Sequence, residues 1–245
     1  MKKLYEQESK EYENNLWNKE IGKPARDYLR KRNIKPNTAK YWHLGYSPEN
    51  FIPECYKDET NEKFKFWEKM NGRLTIPVYD QNGSLIAISG RAINPETKPK
   101  YMHYQFPTRR ILFGLFFNEK EILKQNMLIL TEGQMDVISA WQNGFKLCSC
   151  TFGAHFSSEQ LAIASRYTDR VNVLYDDDDA GQEGANNSLE KIKLRGDVKV
   201  RILRGILKNG NDLDDWIKKN DYHFIMKIIN SSKEDLLKYK LNIIK

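Results

Sequence analysis

The chain has 245 residues, 40% of them hydrophobic and 30% charged, with 40 Lys and Arg against 33 Asp and Glu for a formal net charge of +7. This is enough apolar material for one large or two small cores, which excludes a disordered tail. No 18-residue apolar run occurs, the first 20 residues lack an apolar signal core, and the three cysteines form no CxxC pair, so no membrane span, no secretion, no disulfide framework and no zinc ribbon is expected, and the expected location is cytoplasmic.

In chain order, a polar helical segment runs through Trp17, followed by PARDYLRKRNI and PNTAKYWHL, in which Pro24 and Pro36 occupy helix-starting positions. RLTIPVYDQNGSLIAISGRAI holds two alternating apolar runs around Asp80-Gln81-Asn82-Gly83, which predicts an antiparallel hairpin. A basic, Pro-rich loop, NPETKPKYMH, leads away from it. From residue 126 strands and helices alternate. NMLILTEG is a continuous apolar run, MDVISAWQNG a helix ending at Gly144, and KLCSCTFG a second strand with Cys148 and Cys150 on one face as core packing. SSEQLAIASRY is a helix capped by Ser157 or Ser158, VNVLYD a third strand, AGQEGANNSLEKIKLRG a helix and VKVRIL a fourth strand. Strict alternation predicts right-handed crossovers and a parallel sheet, with chemistry at the carboxyl ends of its strands. The last 30 residues read as helical.

Charge is unevenly placed. Residues 1–120 hold 22 Lys and Arg against 15 Asp and Glu, while residues 121–245 hold 18 of each. Polyanion contact therefore belongs to the first half. The neutral half nonetheless crowds acids into LYDDDDAGQEGA, where mutual repulsion opposes compaction unless a cation is present. Glu132 directly follows the first strand of this half, with Asp136 four residues on. Asp176 and Asp178, spaced by two, follow the third strand and direct both carboxylates to one side if extended. Asp212, Asp214 and Asp215 follow the fourth. Carboxylate oxygens suit Mg²⁺, and a pair of such ions clamps the attacking and leaving oxygens of phosphoryl transfer. An isolated acidic run is ordinarily a solvated loop and Asp after a strand ordinarily a helix cap; the order and repetition of the three segments give the metal reading its weight.

LTEGQMDVISAWQNGF, LYDDDDAG and NDLDDWI resemble, in order and spacing, the acidic motifs of the Toprim superfamily over residues 126–215. The hairpin with PKYMH, the earlier YLRKRNIKPNTAKYWHLGYSP and ILFGL resemble the catalytic core of DnaG-type primases, so the resemblance spans nearly the whole chain. It implies an α/β fold: a Toprim parallel-sheet core, a mixed α+β N-terminal subdomain with a β-hairpin before it, and a short helical C-terminus. The domains expected are 1–120 (basic, template and nucleotide side), 121–210 (Toprim) and 211–245 (third acidic motif and final helices). Departures are Asp177 at a glycine position, Leu213 at a proline position and Ser89 at the first glycine of Gly-Gly-Arg.

The implied activity is that of a DNA-directed RNA polymerase of primase type: template-directed synthesis of short RNA primers on single-stranded DNA at the replication fork. It needs two or more Mg²⁺ or Mn²⁺ ions and ribonucleoside triphosphates, with no zinc on this chain. Template DNA, RNA primer, a replicative helicase and a separate zinc-binding module are the expected partners. Glu132, Asp176 and Asp178 are the implied catalytic acids; Glu132, Asp136, Asp176, Asp178, Asp212 and Asp214 are the implied ligands or outer-shell contacts. Arg73, Arg91, Lys100, Arg109 and Arg110 are the implied nucleotide and template contacts, with Tyr101, Tyr104 and Phe106 interleaved as base-stacking or core rings. The alternatives are a Toprim nuclease and a non-catalytic single-strand-binding module. No Ser/His/Asp arrangement or P-loop is present.

Overall fold

The computed structural model describes residues 2–57, 62–175, 198–203, 207 and 213–231. The chain divides into two compact units, Met1–Phe106 and Pro107–Lys245.

In the first unit, helices α1 (Lys2–Trp17), α2 (Lys23–Lys31) and α3 (Pro36–Tyr41) precede an antiparallel sheet of β1 (Gly45–Ser47), β2 (Arg73–Tyr79), β3 (Leu85–Ala92) and β4 (Tyr101–His103), in spatial order β1-β2-β3-β4. Both prolines lie in the first turns of their helices, where a missing N–H removes no hydrogen bond. The hairpin forms where expected: Asp80 Oδ1 accepts from the N–H groups of Asn82 and Ser84, and Gly83 takes φ 77° to close the turn. β1 and β4, too short to show an alternation of their own, extend this hairpin on its two sides. α1 packs on β1 and β3, and Tyr12 and Leu16 of α1 are fully buried, as are Leu74, Ile76, Ala87 and Ile88 of the hairpin.

In the second unit, α4 (Leu115–Gln125), β5 (Leu128–Thr131), α5 (Gln134–Gln142), β6 (Cys148–Cys150), α6 (Ser158–Ala164), β7 (Arg170–Val173) and β8 (Lys199–Ile202) are followed by α7 (Leu213–Lys219) and α8 (Tyr222–Ser231). All three strand pairs are parallel, in order β6-β5-β7-β8. β5, β6 and β7 are nearly all buried, as strands covered on both faces are, while the edge strand β8 buries Val200 and Ile202 and exposes Lys199. α6 starts with a full capping box, Ser157 and Gln160 each bonding the other's backbone N–H, which decides between the two serines expected there. Cys148 and Cys150 are buried core residues whose thiols burial pushes far up, so they are inert packing groups. The helix expected over AGQEGANNSLEKIKLRG and the end of the C-terminal helical segment lie outside the described residues.

Candidate active site

The position of the second unit's site follows from strand order. β5 lies between β6 and β7, and the chain passes from β5 through α5 to β6 on one side before returning to β7 on the other. Connections leaving β5 and β7 in opposite directions open a crevice at their carboxyl ends. Glu132 is the first residue beyond β5, and Asp176 and Asp178 follow β7 in the sequence. Asp176, Asp178 and Asp212 lie outside the described residues.

Several contacts define this rim. Leu174 N–H donates to the Leu130 carbonyl at 2.8 Å, carrying the β5–β7 ladder to Tyr175. Gly153 N–H donates to the Glu132 carbonyl at 3.0 Å, and Thr151 N–H to that of Thr131 at 3.2 Å. The Tyr175 hydroxyl pairs with Thr151 Oγ1 at 3.0 Å. Burial pushes that hydroxyl above the usual tyrosine range; its bond with Thr151 offsets part of the rise, and the nearby Glu132 charge adds to it. Glu132, Thr151 and Tyr175, from three different strand ends, therefore share one rim. Thr151 and Tyr175 escaped the reading of the sequence because nothing local distinguishes them from ordinary strand residues.

Asp136 stands in the first turn of α5, a favourable place for a carboxylate beside a helix N-terminus. Its side chain folds back over Gly133, so that a Cβ there would stand 2.5 Å from Asp136 Oδ2. Glu132 and Asp136 are both half-buried. Next to them, the Thr131 hydroxyl and both amide atoms of Gln134 are buried with no hydrogen-bond partner among the described residues. Among the described residues no three His, Cys, Asp or Glu side chains group as a metal site. The described donors are carboxylate oxygens flanked by unpaired polar groups, and they fit a hard, partly hydrated divalent cation.

Asp214, in the first turn of α7, is 7% exposed. Its Oδ1 accepts from the Ser139 hydroxyl of α5, and its Oδ2 takes Lys218 Nζ at 2.6 Å. Arg109 and Arg110 sit in a 3-10 turn, Thr108–Arg110, that Gln160 anchors through the carbonyls of Thr108 and Ile111. Arg109 lies 3.5 Å from Glu159 and both arginines are exposed.

The expected basic contacts of the first unit fall into two kinds. Lys100 is exposed. Arg73 and Arg91 are only 4% and 6% exposed, a difference from the open basic surface that the resemblance implies. Arg73 donates to the Pro99 carbonyl at 2.9 Å. Arg91 lies between two tyrosine rings, 4.9 Å from the Tyr101 centroid and 5.8 Å from that of Tyr28, and donates to both hydroxyls. A planar, weakly hydrated guanidinium tolerates such stacking where an ammonium does not. Tyr101 stacks on His103 with an 8° interplanar angle, while Tyr104 is buried in the core.

Comparison with known proteins fits this geometry. A family model described as Toprim-like matches residues 129–217, and one described as DNA primase catalytic core, N-terminal domain, matches residues 12–118. The second unit is thus a Toprim-like domain. With both matches in order along the sequence, the chain is similar over nearly its whole length to DnaG-type primase catalytic cores. It is 27% identical to a DNA primase of Enterococcus faecalis, over 98% of this chain and 42% of the relative. It is 29% identical to a DNA primase of Aquifex aeolicus, over 86% of this chain and 45% of the relative. The chain thus spans less than half the length of these curated relatives. Among solved structures, the E. coli primase catalytic core superposes with a TM-score of 0.86 at 22% identity, covering 99% of this chain and 83% of that one. A DnaG primase catalytic domain bound to single-stranded DNA also gives 0.86, at 21% identity, covering 99% and 81%. These two likenesses describe the fold. Among the described residues no helix is long and apolar enough to cross a membrane.

Proposed function

We propose that this chain is a polymerase-type enzyme, a nucleotidyltransferase that joins ribonucleotides into a short RNA primer on a single-stranded DNA template. The observation that carries the reading is the placement of Glu132 and Asp136 at the carboxyl end of β5, beside β7, the strand that leads into Asp176 and Asp178. The primase names of the relatives and the single-stranded DNA in one neighbour's structure support the choice of template and product.

In this reading Glu132, Asp176 and Asp178 hold Mg²⁺ or Mn²⁺, with Asp136 and Asp212 as further ligands and Asp214 as an outer contact. When bound, the ions neutralise charge developing on the triphosphate and lower the pKa of the attacking 3′-hydroxyl. In this reading Glu132 accepts that hydroxyl's proton as its oxygen bonds the α-phosphorus and pyrophosphate leaves, and the Thr151–Tyr175 hydrogen bond lies on the same rim as Glu132. Lys100, Arg109 and Arg110 draw in nucleotide and template as exposed cations, and Arg91 supports the Tyr101 ring from behind. A helicase and a zinc-binding module are partners of the same reading.

The test is incubation of the full chain with single-stranded DNA, labelled ribonucleotides and Mg²⁺ or Mn²⁺. Short oligoribonucleotides are expected, and Asp176→Ala is expected to eliminate them. Template degradation without synthesis would replace the polymerase reading by a nuclease one.

A further inference from the structure

Asp214 is buried, and both of its oxygens are already engaged by protein donors: Oδ1 by Ser139 and Oδ2 by Lys218 Nζ, at 2.6 Å. The Ser139 side of this arrangement is unusual for a helix. A serine in a helix commonly returns its hydroxyl to a carbonyl of the preceding turn, which weakens the helix slightly. Here the hydroxyl, on a residue 1% exposed, reaches across to another helix 75 positions along the chain. Lys218, one turn after Asp214 on α7, supplies the positive charge that a buried carboxylate requires.

What this clamp joins gives it a role. α5 starts two residues after Glu132, and Asp136 precedes Ser139 by three residues, so the two share one side of the helix. α7 carries Asp214 in its first turn, and α5 and α7 pack directly on one another. One hydroxyl-to-carboxylate bond thus ties the third acidic segment to the helix that bears the first. From this geometry we infer that Ser139 and Lys218 are positioning residues for the polymerase site, and that Asp214 acts through them as a clamp between α5 and α7 and not as a direct ligand of a catalytic ion. The inference rests on the polymerase reading and refines the place of one acid within it. Ser139 has the further property of being neither acidic nor basic, so no motif built on charge reveals it.

The experiment titrates Mn²⁺ alone into the full chain, by calorimetry and by the loss of free-ion EPR signal, for wild type, Ser139→Ala, Ser139→Thr, Asp214→Ala and the Ser139→Ala/Asp214→Ala pair. Ser139→Ala and Asp214→Ala are each expected to weaken binding roughly 10-fold, as loss of a residue supporting metal ligands does. The number of ions bound should stay that of wild type, and the pair should be no worse than Asp214→Ala by itself. Ser139→Thr keeps the hydroxyl and should bind as wild type. Thermal melting of each variant identifies any that does not fold; for those, Lys218→Met supplies the same comparison from the other oxygen. Loss of one bound ion in Asp214→Ala with normal binding in Ser139→Ala makes Asp214 a direct ligand and overturns the inference. Multiplying losses in the pair, or no loss in either single variant, overturn it equally. Absence of RNA synthesis by a wild-type chain that binds Mn²⁺ would instead refute the polymerase reading and leave the clamp to be judged by the titrations.

Discussion

Tyr104, on the segment that follows β4, donates its hydroxyl to Glu8 of α1, a carboxylate with no exposed surface, across 96 positions of sequence. Tyr12 and Tyr56 donate to the same carboxylate at 2.7 and 2.9 Å, so the acid is held by tyrosine hydroxyls, with Tyr5 beside the Tyr104 ring and Glu11 and Cys55 nearby. Burial pushes Glu8 up to about 7, which the hydrogen bonds from Tyr104, Tyr12 and Tyr56 only partly oppose.

This sets a pH dependence of stability. An acid whose folded pKa lies above its unfolded value stabilises the fold fully below the unfolded value, near 4.5, and loses that contribution as pH rises through the folded value, about 7. Wild type is therefore expected to lose up to about 3 kcal/mol, on this group's account, between pH 4.5 and pH 8. Glu8→Gln should remove that slope. Urea unfolding of both proteins at pH 5 and pH 8 checks it, and equal pH dependence in the two would show that Glu8 titrates normally.

Gly133→Ala acts on the Asp136 carboxylate. The backbone there is extended, φ −113° and ψ 146°, so alanine is conformationally admissible, and the conflict among the described residues is a methyl 2.5 Å from Asp136 Oδ2. The variant is expected to melt as wild type and to lose primer synthesis roughly 10-fold through displacement of that oxygen. Full activity would mean that the position of Asp136 is immaterial to the reaction.

The two kinds of cation in the first unit separate by measurement. Arg91→Lys keeps a charge but loses the stacked, forked contact with Tyr28 and Tyr101, and should cost about 2 kcal/mol of stability in urea unfolding. Lys100→Ala should leave stability unchanged and lower the salt dependence of single-stranded DNA binding by about one phosphate contact. Identical behaviour of the two variants would erase the distinction.

Asn172 sits within β7, opposite Ile129 and Arg201, fully buried, with neither amide atom partnered among the described residues. A buried amide without hydrogen bonds is destabilising, and valine suits a covered strand. Asn172→Val is expected to raise the urea midpoint by an amount worth about 1 to 2 kcal/mol at unchanged m-value. A lower midpoint would mean that the amide has a partner outside the described residues.

The local features were legible in the sequence because their causes are local. Asp80 and Gly83 close a turn with their own atoms, Pro24 and Pro36 start helices by their fixed φ, and continuous apolar runs announce strands covered on both faces. The place of Glu132 was legible on the same ground, since an acid directly after a buried strand stands at a sheet's edge whatever the neighbours are. Strand order was not legible: periodicity reports which face of a strand is covered, whereas the flanking of β5 by both β6 and β7 depends on which way each crossover turns. The fate of charged side chains was equally hidden. Arg91 is one cation of a basic run until Tyr28 and Tyr101 close on it, Glu8 one acid of a polar helix until tyrosines from three segments meet it, and Asp214 one acid of the third segment until Ser139 reaches it. Burial of a charge is decided by partners distant in the chain, and only the tertiary structure brings those partners within hydrogen-bonding distance.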